Sequence, residues 1–119
     1  MCCLYVSDRS HMADYETAEC GFRPDLVLEV DGIYYYIHFA TFSWIQWRAT
    51  KELWGEYYVF SHNLFIVDDV SLKNIVKVVK YNVEHNKHLD LVSGIDYLIK
   101  AGYFDPKTWK KINIKINKR

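Results

Sequence analysis

The sequence predicts an α+β protein, an antiparallel β-sheet with helices packed on one face, in a single domain. Three observations carry this prediction. Two extended runs, Leu26–Val30 and the aromatic stretch from Tyr34 to Phe39, are joined by Asp31-Gly32, a dipeptide that tolerates positive φ and favours a type I′ hairpin turn. From Leu72 the apolar residues recur with helical period, whereas Lys111–Asn117 alternates strictly with period two. Hairpin signals come early and helices late, and a sheet covered by helices is the arrangement that buries the apolar face of each.

The elements follow in order. After the hairpin, Ser43 and Gln46 stand at the S-x-x-Q spacing of a capping box, which predicts a short helix starting at Ser43 and stopping near Trp54-Gly55. Tyr57 to Val67 has strand composition, interrupted by His62-Asn63 as a bulge or tight turn. Asp68-Asp69-Val70-Ser71 ends that strand and offers capping oxygens to the next helix. In that helix Leu72, Ile75, Val76, Val79 and Val83 form one stripe, with Lys73, Lys77, Lys80 and Glu84 opposite. A second, shorter helix is expected from Leu91, Val92, Ile95, Leu98 and Ile99, with Asp90 as cap and Gly102 as terminator. The tail closes the sheet, its Ile112, Ile114 and Ile116 turned to the core and Lys111, Asn113 and Lys115 to water.

At 119 residues, half of them hydrophobic, the chain suits one core, residues 1–119 forming a single domain. Every apolar run is interrupted by Lys, Asp or Asn, so no membrane span is expected. Cys2, Cys3 and Cys20 are odd in number and clustered, which does not resemble a disulfide framework and fits a reduced, cytoplasmic protein. A zinc site of Cys2, Cys3, His11 and Cys20 lacks the C-x2-C spacing. Ser10-His11-Met12 resembles a cloning junction before a start codon, and residues 1–12 are set aside as a leader irrelevant to the fold.

Charge balances overall, 15 against 15, yet it is segregated along the chain. Acids dominate up to Val70 and lysines after it. An acidic surface attracts basic partners and speeds their association. The candidate contacts are Glu29, Asp31, Glu52, Glu56, Asp68 and Asp69, with Trp47 and Trp54 as aromatic anchors. The lysines of the long helix lack arginine and an interleaved aromatic, and read as a solvated face, so no nucleic acid is expected as partner.

Catalytic signatures are missing: there is no glycine-rich phosphate loop, nucleophile elbow or H-E-x-x-H. Arg23-Pro24-Asp25 before a hairpin resembles the start of a nuclease motif that continues with Asp/Glu-x-Lys on the next strand. Here Tyr36-Ile37-His38 stands in that place, without the carboxylate or lysine needed to hold magnesium and activate water. His38 reads as a packed histidine, and His85 and His88 as residues that complement a helix C-terminus. No catalytic residue, metal ligand or cofactor is expected, and the chain reads as a protein other than an enzyme.

The Tyr-x-His-Phe-Ala-Thr-x-x-Trp-Ile segment from Tyr36 to Ile45, then Leu64-Phe65-Ile66-Val67-Asp68-Asp69, a helix with Ile75, and Leu98-Ile99-Lys100-Ala101-Gly102-Tyr103-Phe104 occur in a characteristic succession. It resembles the eighth catalogued immunity family of bacterial polymorphic toxins and contact-dependent growth inhibition systems. That family carries F-x-V-x-V-[AC]-T-P-x-W-[LI] on a strand, then an L-I-V strand and a closing L-x-x-x-G-x-W-E-F motif. Thr41, Trp44 and Ile45 align. Phe42 stands where the family has proline, Glu56 where it often has arginine, and Tyr103-Phe104-Asp105 where it has Trp-Glu-Phe. The resemblance implies a cytoplasmic immunity protein that binds a cognate toxin domain, such as a basic nuclease, and blocks its active site or the docking of its substrate.

Two alternatives from other classes stand beside it. One is a non-catalytic module that homodimerises through its aromatic ribbon. The other is a nucleic-acid binder using Lys73, Lys77, Lys80 and the basic tail. The oligomeric state is left open.

Overall fold

A computed structural model describes residues 2–7, 21–51, 63–93, 99 and 104–117. In chain order these form β1 (Cys2–Val6), β2 (Phe22–Val30), β3 (Ile33–Ala40), α1 (Phe42–Lys51), β4 (Leu64–Ile66), α2 (Leu72–Glu84), a 3₁₀ turn (Lys87–Asp90) and β5 (Lys110–Ile114). The strands make one sheet in the order β4-β3-β2-β1-β5. Its pairings are antiparallel except that β3 and β4 run parallel. The α+β class stands as read, and the parallel pair has a simple cause. The connection from β3 to β4 passes through α1, and a helical crossover returns the chain to the end from which it started.

The β2–β3 hairpin turns where the sequence places it. Asp31 and Gly32 both adopt positive φ, 50° and 83°, as a type I′ turn requires. Further down, the register slips between Arg23 and Leu26, so that Pro24-Asp25 forms a bulge opposite His38. A proline has no ladder hydrogen to give, and a bulge is where a strand tolerates one.

The burial of β1 overturns one expectation. Far from being a leader irrelevant to the fold, Cys2–Val6 lies between β2 and β5, and all five side chains are buried. Cys2, Leu4 and Val6 enter the main core with Leu26, Leu28, Ile37 and Phe39, beneath Ile75, Val79 and Val83 of α2. Cys3 and Tyr5 point to the opposite face, where Val27 and Phe104 complete a second cluster. A strand covered on both faces needs apolar residues at every position, which is why Cys-Cys-Leu-Tyr-Val shows no alternation to read. Ser10-His11-Met12 and Cys20 lie outside the described residues.

Helix α2 follows its sequence closely. Ser71 caps it, accepting from the Asn74 amide at 3.3 Å, and Asn86 ends it in the left-handed conformation with φ 57°. Ile112 and Ile116 pack partly against the same core that buries Ile114, as the period-two tail requires. The Tyr57–His62 part of the third predicted strand lies outside the described residues, as does most of the predicted second helix. The described Leu91–Ser93 is not helical.

Candidate functional site

The joint between β3 and α1 sets the geometry of the most exposed end of the sheet. The Thr41 amide donates to the Gly21 carbonyl at 2.8 Å, which fixes Thr41 at the strand end. Its hydroxyl oxygen then accepts from the Trp44 amide at 3.1 Å. The helix therefore starts at Phe42 with Thr41 as N-cap, two residues before the N-cap that the Ser43–Gln46 box suggests, because tertiary pairing with Gly21 positions Thr41 first. Trp44 stacks on Phe22 at 4.1 Å and 10°. Gly21 has φ 84°, and a Cβ there would lie 2.5 Å from the Thr41 hydroxyl oxygen, so this close approach needs glycine.

The expected contact residues that are described do not form one surface. Asp31 is exposed at the hairpin tip. Glu29, two residues before it, is half-buried and accepts from the Tyr5 hydroxyl at 2.9 Å. Burial raises the Tyr5 phenol above its ordinary range, and the Glu29 carboxylate adds to the effect. Tyr34 is raised for the same two reasons. Asp68 and Asp69 stand beyond β4, which pairs with the C-terminal end of β3. The eight residues of β3 separate them from the hairpin tip by roughly 23 Å. Glu52, Trp54 and Glu56 lie outside the described residues.

Asp69 has a local role as well as an exposed position. Its carboxylate accepts from the Ser71 hydroxyl at 2.6 Å and the Ser71 amide at 2.9 Å, which holds its carboxyl below the usual range. The carboxylate thus braces the residue that caps α2. Trp47, on α1, is 49 % exposed.

Two residues that sequence reasoning passed over stand at the same end as Asp68 and Asp69. Phe42, at the start of α1, is 73 % exposed, and Ile66 is 43 % exposed opposite Ala40 in the register. The Val67 amide donates to the Ala40 carbonyl at 2.9 Å, which ties the chain before Asp68 to the residue two before Phe42. Apolar side chains and carboxylates thus share the exposed end of the β3–β4 pair. Phe42 sits inside an aromatic run that reads as core, so composition hides it. Its phase relative to Thr41 is the signal that could have found it, once the cap is known.

Asn63 builds the far side of β3. Its side-chain amide donates to the carbonyls of Tyr36 (2.9 Å) and Val92 (2.8 Å), while its oxygen accepts from the Val92 amide (2.8 Å). The Asn63 carbonyl takes the His38 amide at 3.1 Å. One buried side chain thereby continues the ladder and pins the segment after the 3₁₀ turn to the sheet.

The described histidines, His38, His85 and His88, are dispersed. His38 packs edge-on to Tyr36 at 4.6 Å, matching its reading as a packed residue. His85 caps α2, its Nδ1 2.8 Å from the Tyr81 carbonyl oxygen. His88 is buried edge-on to Tyr35, with no hydrogen-bond partner for Nδ1. Among the described residues no group of three His, Cys, Asp or Glu is placed to hold a metal ion. Among them, too, no helix is long and apolar enough to cross a membrane.

The charge segregation of the sequence partly survives folding. β5, with Lys110 and Lys111, forms one edge of the described sheet, and Asp68-Asp69 follow β4 at the other. The hairpin tip breaks the pattern, since Asp31 joins β2 to β3 in the middle of the sheet, with β1 between β2 and the lysine-bearing β5.

These features define a small α+β protein whose exposed groups are apolar and acidic at one end of the sheet. Comparison with known proteins adds no relative: no protein-family model matches the chain, and no curated protein or solved structure does.

Proposed function

We propose that this chain is an immunity protein that binds a cognate toxin domain and blocks its active site or the docking of its substrate. The observation that carries the reading is the exposed end of the β3–β4 pair. There Phe42 and Ile66 stand open beside Asp68 and Asp69, with Trp47 further along α1. Exposed apolar anchors ringed by charge are what a tight protein interface uses, the anchors supplying affinity and the carboxylates steering a basic partner.

The resemblance to the eighth immunity family of polymorphic toxins supports the same reading. Its matching residues fall on β3 and α1: Phe39 in the core, Thr41 as cap, Trp44 stacked on Phe22. They preserve the scaffold, while Phe42, where the family has proline, is displayed. Among the sequence-derived contacts, Asp68 and Asp69 belong to this end of the sheet, Glu29 and Asp31 to the other, and Trp47 is exposed on α1.

The test is rescue. The variable C-terminal domain of a large secreted protein encoded immediately upstream is expressed in a sensitive bacterium with and without this chain. Rescue by the wild type, lost in Phe42→Asp, supports the reading, provided circular dichroism shows the variant folded. A domain that kills cells whether or not this chain is present overturns it.

A further inference from the structure

The exposed face of α2 carries a feature that the toxin-binding reading does not use. Lys73, Lys77, Tyr81 and His85 recur every four residues and are all exposed, with Lys80 and Lys87 beside them. At four residues per step the groups are about 6 Å apart along the helix. Tyr81 is 51 % exposed, and the His85 ring stacks on it at 4.1 Å and 27°. The 2.8 Å contact between His85 Nδ1 and the Tyr81 carbonyl oxygen holds that stack in place, and Lys87 Nζ lies 5.3 Å from the tyrosine centroid. The one carboxylate on this face, Glu84, accepts from the Asn117 amide at 2.8 Å and is partly covered by the tail. Asp69 and Asp90 lie beyond the two ends of the stripe.

We infer that this face of α2 binds single-stranded nucleic acid, the lysines meeting phosphates and the Tyr81–His85 pair giving a base a surface on which to stack. The lysines alone lack an aromatic for base contact, and the helix phase supplies one, since Tyr81 follows Lys73 and Lys77 on the same face. A duplex hides its base faces and leaves the ring pair unused. A lipid surface fits poorly, because the apolar stripe of α2 is already buried in the core and the exposed Tyr81 ring is held in its stack with His85 among lysines. The inference is independent of the toxin-binding reading and uses a different surface.

The experiment is fluorescence anisotropy of a short fluorescein-labelled mixed-sequence DNA single strand with the full chain. Four phosphate contacts predict a slope of log K against log salt of about −2.8, so affinity falls about fifty-fold between 50 and 200 mM salt. Combined Lys73→Glu, Lys77→Glu and Lys80→Glu should abolish binding, and Tyr81→Ala should weaken it about five-fold or more. Circular dichroism confirms that these surface variants are folded. The inference is overturned by any of four results: no binding at 50 mM salt, unchanged affinity in the triple-lysine variant, equal affinity for duplex DNA, or equal retention on phosphatidylserine vesicles.

Discussion

Replacing Asn63 by alanine tests how much of this fold hangs on one polar side chain. Its amide group makes three hydrogen bonds, to Tyr36, to the Val92 carbonyl and to the Val92 amide, each 2.8–2.9 Å long. Each is worth about 1 kcal/mol net, and truncation also strands backbone groups that are partly shielded from water. The expected loss is roughly 2–4 kcal/mol, a large share of the stability of a domain this size. Aspartate is no rescue, because it keeps the acceptor for the Val92 amide but turns a carboxylate oxygen toward two carbonyls. Urea unfolding followed by tryptophan fluorescence reads the loss as a lower midpoint at unchanged slope. Hydrogen exchange adds the local signature: the Val92 amide should lose protection in Asn63→Ala while Val79 in α2 keeps its protection relative to global unfolding. A loss below about 0.5 kcal/mol, or a Val92 amide still protected, would refute the latch.

Three further outcomes follow from the packing. Leu4→Ala, in β1, should cost about 3–5 kcal/mol in urea unfolding, because Leu4 is fully buried between two strands and under α2; a surface-like cost below about 0.5 kcal/mol would remove β1 from the core. Thr41→Ala should cost about 1 kcal/mol in thermal unfolding by unbinding the Trp44 amide, whereas Ser43→Ala should be nearly neutral; the reverse order would restore the capping box. Burial pushes the Cys2 thiol up from 9.0 to about 11. Since the folded state holds that proton more tightly, its stabilisation is complete below pH 9 and fades as pH rises toward 11, with buried Tyr5 adding in the same direction. Native protein near pH 8 should resist iodoacetamide at Cys2 and Cys3, and a pH titration of urea midpoints should fall on the alkaline side; rapid native-state alkylation would show the strand to be open.

Rescue of toxin-expressing cells and anisotropy with a single strand probe separate surfaces, so each can fail alone. Phe42 and Ile66 stand beside Asp68 and Asp69, whereas the lysine stripe lies on the outer face of α2. A variant at one surface should leave the other readout unmoved.

What the sequence alone determined is whatever depends on neighbours a few residues apart. The Asp31-Gly32 turn needs only two residues that accept positive φ. The stripe of α2 needs only a 3.6-residue period against one apolar face, and Ile112, Ile114 and Ile116 only a period of two. The α+β class follows from such local signals arranged in order. Tertiary structure decided the rest, because the deciding partner is distant in sequence. Cys2–Val6 is a central strand only because β2 and β5 close on it, and its lack of alternation is a consequence of burial on both faces. Gly21 selects Thr41 over Ser43 as the cap through one backbone hydrogen bond. The crossover through α1 makes β4 parallel and carries Asp68 and Asp69 to the opposite end of the sheet from Asp31. Charge read along a chain is one-dimensional, and only the folding of strands into a sheet assigns each carboxylate an end, an edge and a neighbour.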